Sequence, residues 1–231
     1  MDLHLGRASA ALLTAALTTT VLATTGAPTY ADAGPAAAPR AAGTTYSGPL
    51  TSAIDEIPVG TESRTGYERS KFRLWIDADG DGCDTRDEVL LEEADDAPSQ
   101  GSGCSLSGGR WYSYYDGVSQ TSASALDIDH VVPLAEVWDS GASSWTAQRR
   151  EDYANDLGDT RTLVAVTASL NRSKGDQDVA EWLPPINHCR YIKDWVAAKI
   201  RWGLSQDAGE KSALQREAGD CTDSTITVTE R

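Results

Sequence analysis

The sequence predicts an α+β fold, and three observations lead there. Two segments carry β-strand patterning, Ala125 to Pro133 and Thr162 to Thr167 (TLVAVT), and the latter is a β-branched apolar run. The segments around them carry helical periodicity. The longest, Asn187 to Leu204, places Ile192, Trp195, Val196 and Ile200 on one face. Cysteines at 83, 104, 189 and 221 form an even set, which predicts two disulfides beneath the secondary structure.

The elements follow in chain order. Arg7 precedes an uncharged run, Ala8 to Ala23, and Ala31-Asp32-Ala33 offers a small-residue cleavage site, so residues 1–33 read as a secretory signal peptide. A transmembrane anchor is the rival reading. The run is too short and too rich in threonine for that, since a span needs about 20 apolar residues. Residues 34–48, rich in Ala, Pro and Gly, read as a flexible linker. Leu50 to Val59 alternates apolar positions and reads as a short entry segment. Glu62 to Trp75 is expected to be a helix with Phe72, Trp75 and Ile76 facing inward. Arg110 to Gly117 (RWYSYYDG) reads as an aromatic strand ending in an Asp-Gly turn. Further helices are expected over Leu134 to Asp139, Thr146 to Leu157, from Ser169 onward, and over Asp207 to Ala218, with Pro184-Pro185 as a stop.

Composition bounds the class. The chain has 231 residues, 40% of them hydrophobic and 24% charged, so it is globular in type. Seven Trp and eight Tyr supply core area despite one Phe and one Met. The formal net charge of −15 argues against a general basic coat for nucleic acid. That excess is local, however. Ten of the 35 acids lie between Asp77 and Asp96, whereas Arg149 to Lys174 carries a net charge of +1. The four cysteines allow three pairings. The sequential one, Cys83–Cys104 with Cys189–Cys221, closes loops of about 20 and 30 residues, worth a few kcal/mol each. A zinc site is the weaker alternative because no CxxC pair exists.

Chemistry concentrates in Asp127-Ile128-Asp129-His130-Val131-Val132-Pro133. A strand puts Asp127 and Asp129 on one side, and His130 joins them only if the strand end turns it. A carboxylate that holds a hard cation beside an imidazole that removes a proton from water suits metal-assisted hydrolysis. Downstream, Ala168 to Asp176 (ASLNRSKGD) offers Asn171 as a neutral oxygen ligand and Arg172 and Lys174 as phosphate-binding charges. The aromatic run Trp111, Tyr112, Tyr114 and Tyr115 reads as core rather than a base-stacking surface. Arg149 and Arg150 read as a solvated helix face. The segment from Arg190 to Trp202, with a net charge of +3, is a candidate helix for contacting a nucleic-acid backbone.

DIDHVVP, TLVAV and NRSKGD in this order resemble the ββα-metal core of HNH endonucleases. The resemblance is to secreted actinobacterial HNH-family proteins related to the C-terminal domain of GmrSD-type restriction enzymes. It runs from about Trp75 to the last helix, with residues 125–176 as the core of a nuclease domain spanning 49–231. It implies a one-metal site in which Asp129 and Asn171 hold Mg²⁺ or Mn²⁺, Asp127 binds or orients, His130 is the general base, and Arg172 and Lys174 sit near the scissile phosphate. The family's middle Asn position is occupied by Thr162, with Asn155 as the other candidate.

Asp77 to Glu88 fits the D-x-D-x-D-G-x₅-E pattern of a calcium loop, with Asp77, Asp79, Asp81 and Glu88 as side-chain ligands and the Cys83 carbonyl between them. An acidic turn clipped by a disulfide at Cys83 is the competing account. Together these features predict a secreted, monomeric, metal-dependent endonuclease with DNA as substrate and RNA as a second candidate. After signal cleavage it should have no membrane attachment, and Ca²⁺ should brace the acidic loop. A non-catalytic extracellular calcium-binding or interaction module on a decayed HNH scaffold is the alternative.

Overall fold

The computed structural model describes Met1, residues 42–222 and residues 225–231; the signal-peptide expectation and residues 34–41 of the expected linker fall outside them. In chain order the elements are β1 (Thr45–Pro49), α1 (Leu50–Glu56), α2 (Thr85–Glu92), β2 (Ala94–Asp96), β3 (Ser99–Gln100), β4 (Leu106–Ser107), β5 (Arg110–Ser113), β6 (Val118–Gln120), β7 (Leu126–His130), α3 (Leu134–Asp139), α4 (Ala147–Ala154), β8 (Leu163–Thr167), α5 (Ala168–Lys174), α6 (His188–Trp202), α7 (Ala208–Gly219) and β9 (Thr225–Thr229). The fold is α+β with two disulfides, and the pairing is sequential: Cys83–Cys104 and Cys189–Cys221.

Two expectations near the start are corrected. Residues 45–48, assigned to the linker by composition, lie in β1, which pairs antiparallel with β9 at the far end of the chain. The entry segment is α1. Its Leu50, Ala53, Ile54 and Ile57 are buried at the i, i+3, i+4, i+7 spacing of one helical face. The helix expected over Glu62 to Trp75 reduces to a 3-10 turn at Arg69–Lys71. Gly66 has φ +76° and Trp75 has φ +56°, and a bulky residue in left-handed backbone interrupts any helix.

The main core gathers α1, α6 and the aromatic rings of Tyr115, Tyr153, Tyr191, Trp195 and Trp202. Trp111, Tyr114 and Tyr115 are buried as expected, while Tyr112 is exposed. A smaller cluster of Val89, Leu90, Trp111, Leu126, Ile128, Leu163 and Ala165 packs α2 against one face of the β7–β8 pair. Val164 and Val166, on the other face, join the main core. Alternation along both strands therefore fixes which face holds Asp127 and Asp129.

Two of the four cations in the positive stretch of α6 face inward. Lys199 is fully buried, with Nζ 2.6 Å from Glu136 and 2.8 Å from Glu210, and Arg201 is clamped onto buried Asp156 at 2.6 Å. Arg149 and Arg150 are also committed. The first donates to the Trp202 and Arg231 carbonyls, the second to those of Lys71, Ala142 and Trp145. Among the described residues no helix is long and apolar enough to cross a membrane.

Candidate functional site

The antiparallel β7–β8 pair, its strands joined through α3 and α4, runs from Leu126 opposite Thr167 to His130 opposite Leu163, and α5 follows β8 without a loop. This connection places Asn171 and Arg172 one turn above the carboxylates. The Asn171 Nδ2 donates to Asp127 Oδ2 at 3.3 Å, and Arg172 reaches both Asp127 oxygens at 3.2 and 3.3 Å. Gly175 ends α5 with φ +56°, a conformation costly for a side-chain-bearing residue.

Asp129 is buried, and its Oδ2 accepts from the Tyr115 hydroxyl and from Lys174 Nζ, both at 2.5 Å. Its Oδ1 takes no hydrogen bond among the described residues, and Asp129 lines an open cleft of about 200 Å³. Burial raises the Asp129 carboxyl above its ordinary range and lowers the Lys174 amine below its own, while their mutual contact opposes both shifts.

His130 closes the strand. Its Nε2 lies 3.0 Å from the Ala154 carbonyl, and its ring stacks on Tyr153 at 5.9 Å with Trp75 at 5.7 Å. A carbonyl only accepts, so Nε2 carries the proton and Nδ1 keeps its lone pair. No partner engages Nδ1 among the described residues. Burial pushes the imidazole down to about 3; the Ala154 bond opposes this, and the charges of Arg69 and Lys174 add to it. The ring is neutral at physiological pH.

The cleft brings together Asp129, His130, Asn171 and Arg172 with Arg69, Asp176 and the apolar Ile128, Pro133 and Leu134. Lys174 does not belong to this surface. Expected near the phosphate, it has no exposed surface and is spent on Asp129 and on the His130 carbonyl at 2.8 Å. Asp127 is one hydrogen bond from the cleft, through Asn171 and Arg172.

Among the described residues neither candidate for the middle position hydrogen-bonds His130. Thr162 is buried and donates to Asp156 at 3.2 Å. The Asn155 Oδ1 accepts from Ile76 N and Thr85 Oγ1, and its Nδ2 donates to the Arg73 and Glu151 carbonyls. Asn155 thus holds the Arg73–Ile76 strap that lays Trp75 over His130, while the carbonyl of the preceding residue, Ala154, holds the ring. Sequence reasoning missed Ala154, Tyr115 and Arg69. The first acts through main chain, which no side-chain pattern reveals. Tyr115 sat in a run assigned to core, and Arg69 in an expected helix.

The acidic loop begins where that strap ends. Its base is closed by Thr85, which donates from N and Oγ1 to the Ile76 carbonyl. Asp77 accepts from the amides of Gly80 and Gly82, and Asp79 and Asp81 accept from the amides two residues on. One oxygen each from Asp77, Asp79 and Asp81 lies within 4.8 Å of the others. Burial and then the charges of Asp81, Asp79 and Asp77 raise the Glu88 carboxyl.

An antiparallel strand pair and the helix after it thus present an imidazole, a carboxylate and a carboxamide to one cleft. The comparisons agree at the level of family: residues 84–217 match the family described as "GmrSD restriction endonucleases, C-terminal domain", and the chain belongs to it. An "Uncharacterized secreted protein" of Arthroderma benhamiae is 42% identical over 174 residues, covering 74% of this chain and 83% of that one. This relative is fungal, so the actinobacterial setting in the sequence reading gains no support from it. No solved structure matches. The secreted relative and the two disulfides agree that this is an exported protein.

Proposed function

We propose that this chain is a secreted, metal-dependent endonuclease that hydrolyses phosphodiester bonds of DNA, with RNA as a second substrate class, through an HNH-type ββα-metal site. The reading rests on His130: a neutral imidazole whose Nε2–H is fixed by a main-chain carbonyl, leaving Nδ1 without a hydrogen bond on a residue that lines one cleft with Asp129.

The donor set fits a hard divalent cation. The hydrogen bonds of Asp129 fall on Oδ2 and that of Asn171 on Nδ2, so Asp129 Oδ1 and Asn171 Oδ1 are both available. Two protein oxygens suit Mg²⁺ or Mn²⁺, since such ions retain several waters. When bound, the cation would supply charge neutralisation and Lewis-acid polarisation of the phosphoryl group. His130 Nδ1 accepts the proton of the attacking water, and the Trp75 and Tyr153 rings keep the imidazole in one orientation. Tyr115 and Lys174 hold Asp129 through Oδ2 and leave Oδ1 without a hydrogen bond among the described residues. Asp127 orients Asn171 and Arg172.

The acidic loop supports calcium binding through Asp77, Asp79, Asp81, the Cys83 carbonyl and Glu88, in a bracing role beside the strap that carries Trp75. Calorimetric titration with CaCl₂ tests this, with heat and a rise in Tm expected; no heat and no stabilisation refute it.

Supercoiled plasmid incubated with purified protein in Mg²⁺, Mn²⁺ or EDTA tests the nuclease reading. Cutting in either metal and none in EDTA is expected. A folded protein that leaves DNA and RNA intact in both metals would overturn it and favour the alternative, a non-catalytic calcium-binding module on a decayed scaffold.

A further inference from the structure

With Lys174 buried, the cleft needs another phosphate-binding charge, and the structure supplies one that the motifs do not contain. We infer that Arg69 is the phosphate clamp of this site, binding the non-bridging oxygens of the scissile phosphodiester; the inference rests on the nuclease reading.

Three observations converge on Arg69. It lines the same cleft as Asp129, His130 and Asn171. Its side chain is exposed, and it forms no ion pair among the described residues. The neighbouring cations are all engaged. Arg172 is held on Asp127, Arg64 on Asp139 and Asp176, Lys71 by Glu68 and the Gly66 carbonyl, and Arg73 by Glu151.

The backbone that carries Arg69 is also fixed. Its carbonyl accepts from Phe72 N at 3.0 Å, Phe72 is 2% exposed in the main core, and the next turn residue, Lys71, accepts at its carbonyl from Arg150. The turn is pinned, so only the Arg69 side chain, which interacts with Tyr67 and has no carboxylate partner among the described residues, is left to order when an anion arrives. Its planar fork matches two phosphate oxygens, a geometry the ammonium of a lysine cannot reproduce. Arg172 lies on α5 and Arg69 on a separate turn, so a phosphate in the cleft meets cations from two elements.

The role has two separable readouts. In turnover of plasmid and of bis(p-nitrophenyl) phosphate with Mn²⁺, Arg69→Ala should lower kcat/KM by about 100-fold, the scale for removing one transition-state donor, with Arg69→Lys intermediate. In EDTA, where no cutting occurs, anisotropy of a fluorescein-labelled 12-mer duplex should show weaker binding by Arg69→Ala. Its slope of log K against log salt should be shallower by about 0.9, the value of one phosphate contact. The melting temperature should match wild type, because the side chain is exposed. Wild-type turnover with Arg69→Ala within twofold, and an unchanged salt slope, would overturn the inference. A wild-type protein that cuts nothing yet loses duplex affinity on Arg69→Ala would sink the nuclease reading and leave Arg69 as an anion-binding residue.

Discussion

Replacing Asn155 with alanine should loosen the imidazole of His130, the proposed general base, without replacing any atom bonded to it. The side chain makes four hydrogen bonds, two accepted (Ile76 N at 3.1 Å, Thr85 Oγ1 at 2.9 Å) and two donated (Arg73 O at 2.7 Å, Glu151 O at 2.8 Å). They are not equally exposed to loss. Thr85 Oγ1 keeps a second acceptor in the Ile76 carbonyl at 3.1 Å, whereas the Asn155 amide that would cap Glu151 O bonds Tyr153 O instead, so the bonds to Ile76 N, Arg73 O and Glu151 O dominate. At roughly 1 kcal/mol net per bond, plus the cost of part-buried groups left unpaired, the variant should lose about 2–3 kcal/mol. For a domain of this size that corresponds to a fall in Tm of about 5–10 °C. The freed strap carries Trp75, whose left-handed backbone (φ +56°) persists only while its surroundings enforce it. With the Trp75 ring displaced from His130, kcat should fall about 10- to 100-fold, since small misplacements of a catalytic group cost that much. KM should change little. Thermal denaturation and initial rates on plasmid are the assays. Asn155→Asp, which keeps the acceptor and loses the donor, should fall between. A Tm within 2 °C of wild type together with an unchanged kcat would refute the strap argument.

Other expectations follow from the buried charges. Lys174→Met removes the cation bonded to buried Asp129 and should cost about 3–5 kcal/mol in urea unfolding, the scale for an orphaned buried ion; a loss below about 1 kcal/mol would mean that Asp129 is not charged there. Burial, then Glu136, raises the Glu62 carboxyl to about 8, with Lys199 opposing. A folded value above the unfolded one means that its stabilisation is complete at pH 4 and is lost as pH rises through 8. Wild-type Tm should therefore decline toward pH 9 more steeply than that of Glu62→Gln, and identical slopes would contradict the assignment.

The legible parts of this protein are those where local chemistry and tertiary demand agree. The paired strands of DIDHVVP and TLVAV, helix α6 with its apolar face, and the two disulfides were visible because period, branching and cysteine count point one way. Strands β1 and β9 were not, since each is stable only through the other, 180 residues apart in register. The segment from Glu62 to Trp75 misled because it holds no proline and a scatter of Glu, Arg, Lys and Leu, while Gly66 and Trp75 take left-handed backbone and the structure forms a strap and an arginine-bearing turn there. At the candidate site, residue identity singled out Asp129, His130 and Asn171, which line one cleft. It could not reveal that Lys174 faces inward or that a main-chain carbonyl sets the histidine tautomer, because both depend on packing between distant elements.

The claim at the centre is that neutral His130 removes the proton from the attacking water. His130→Ala, shown by circular dichroism and melting to be folded, should be compared with wild type on supercoiled plasmid in Mn²⁺. The account predicts that nicking falls by at least about 100-fold, the lower range for a general base, while Mn²⁺ affinity is kept. Cutting by the folded variant at the wild-type rate would contradict it.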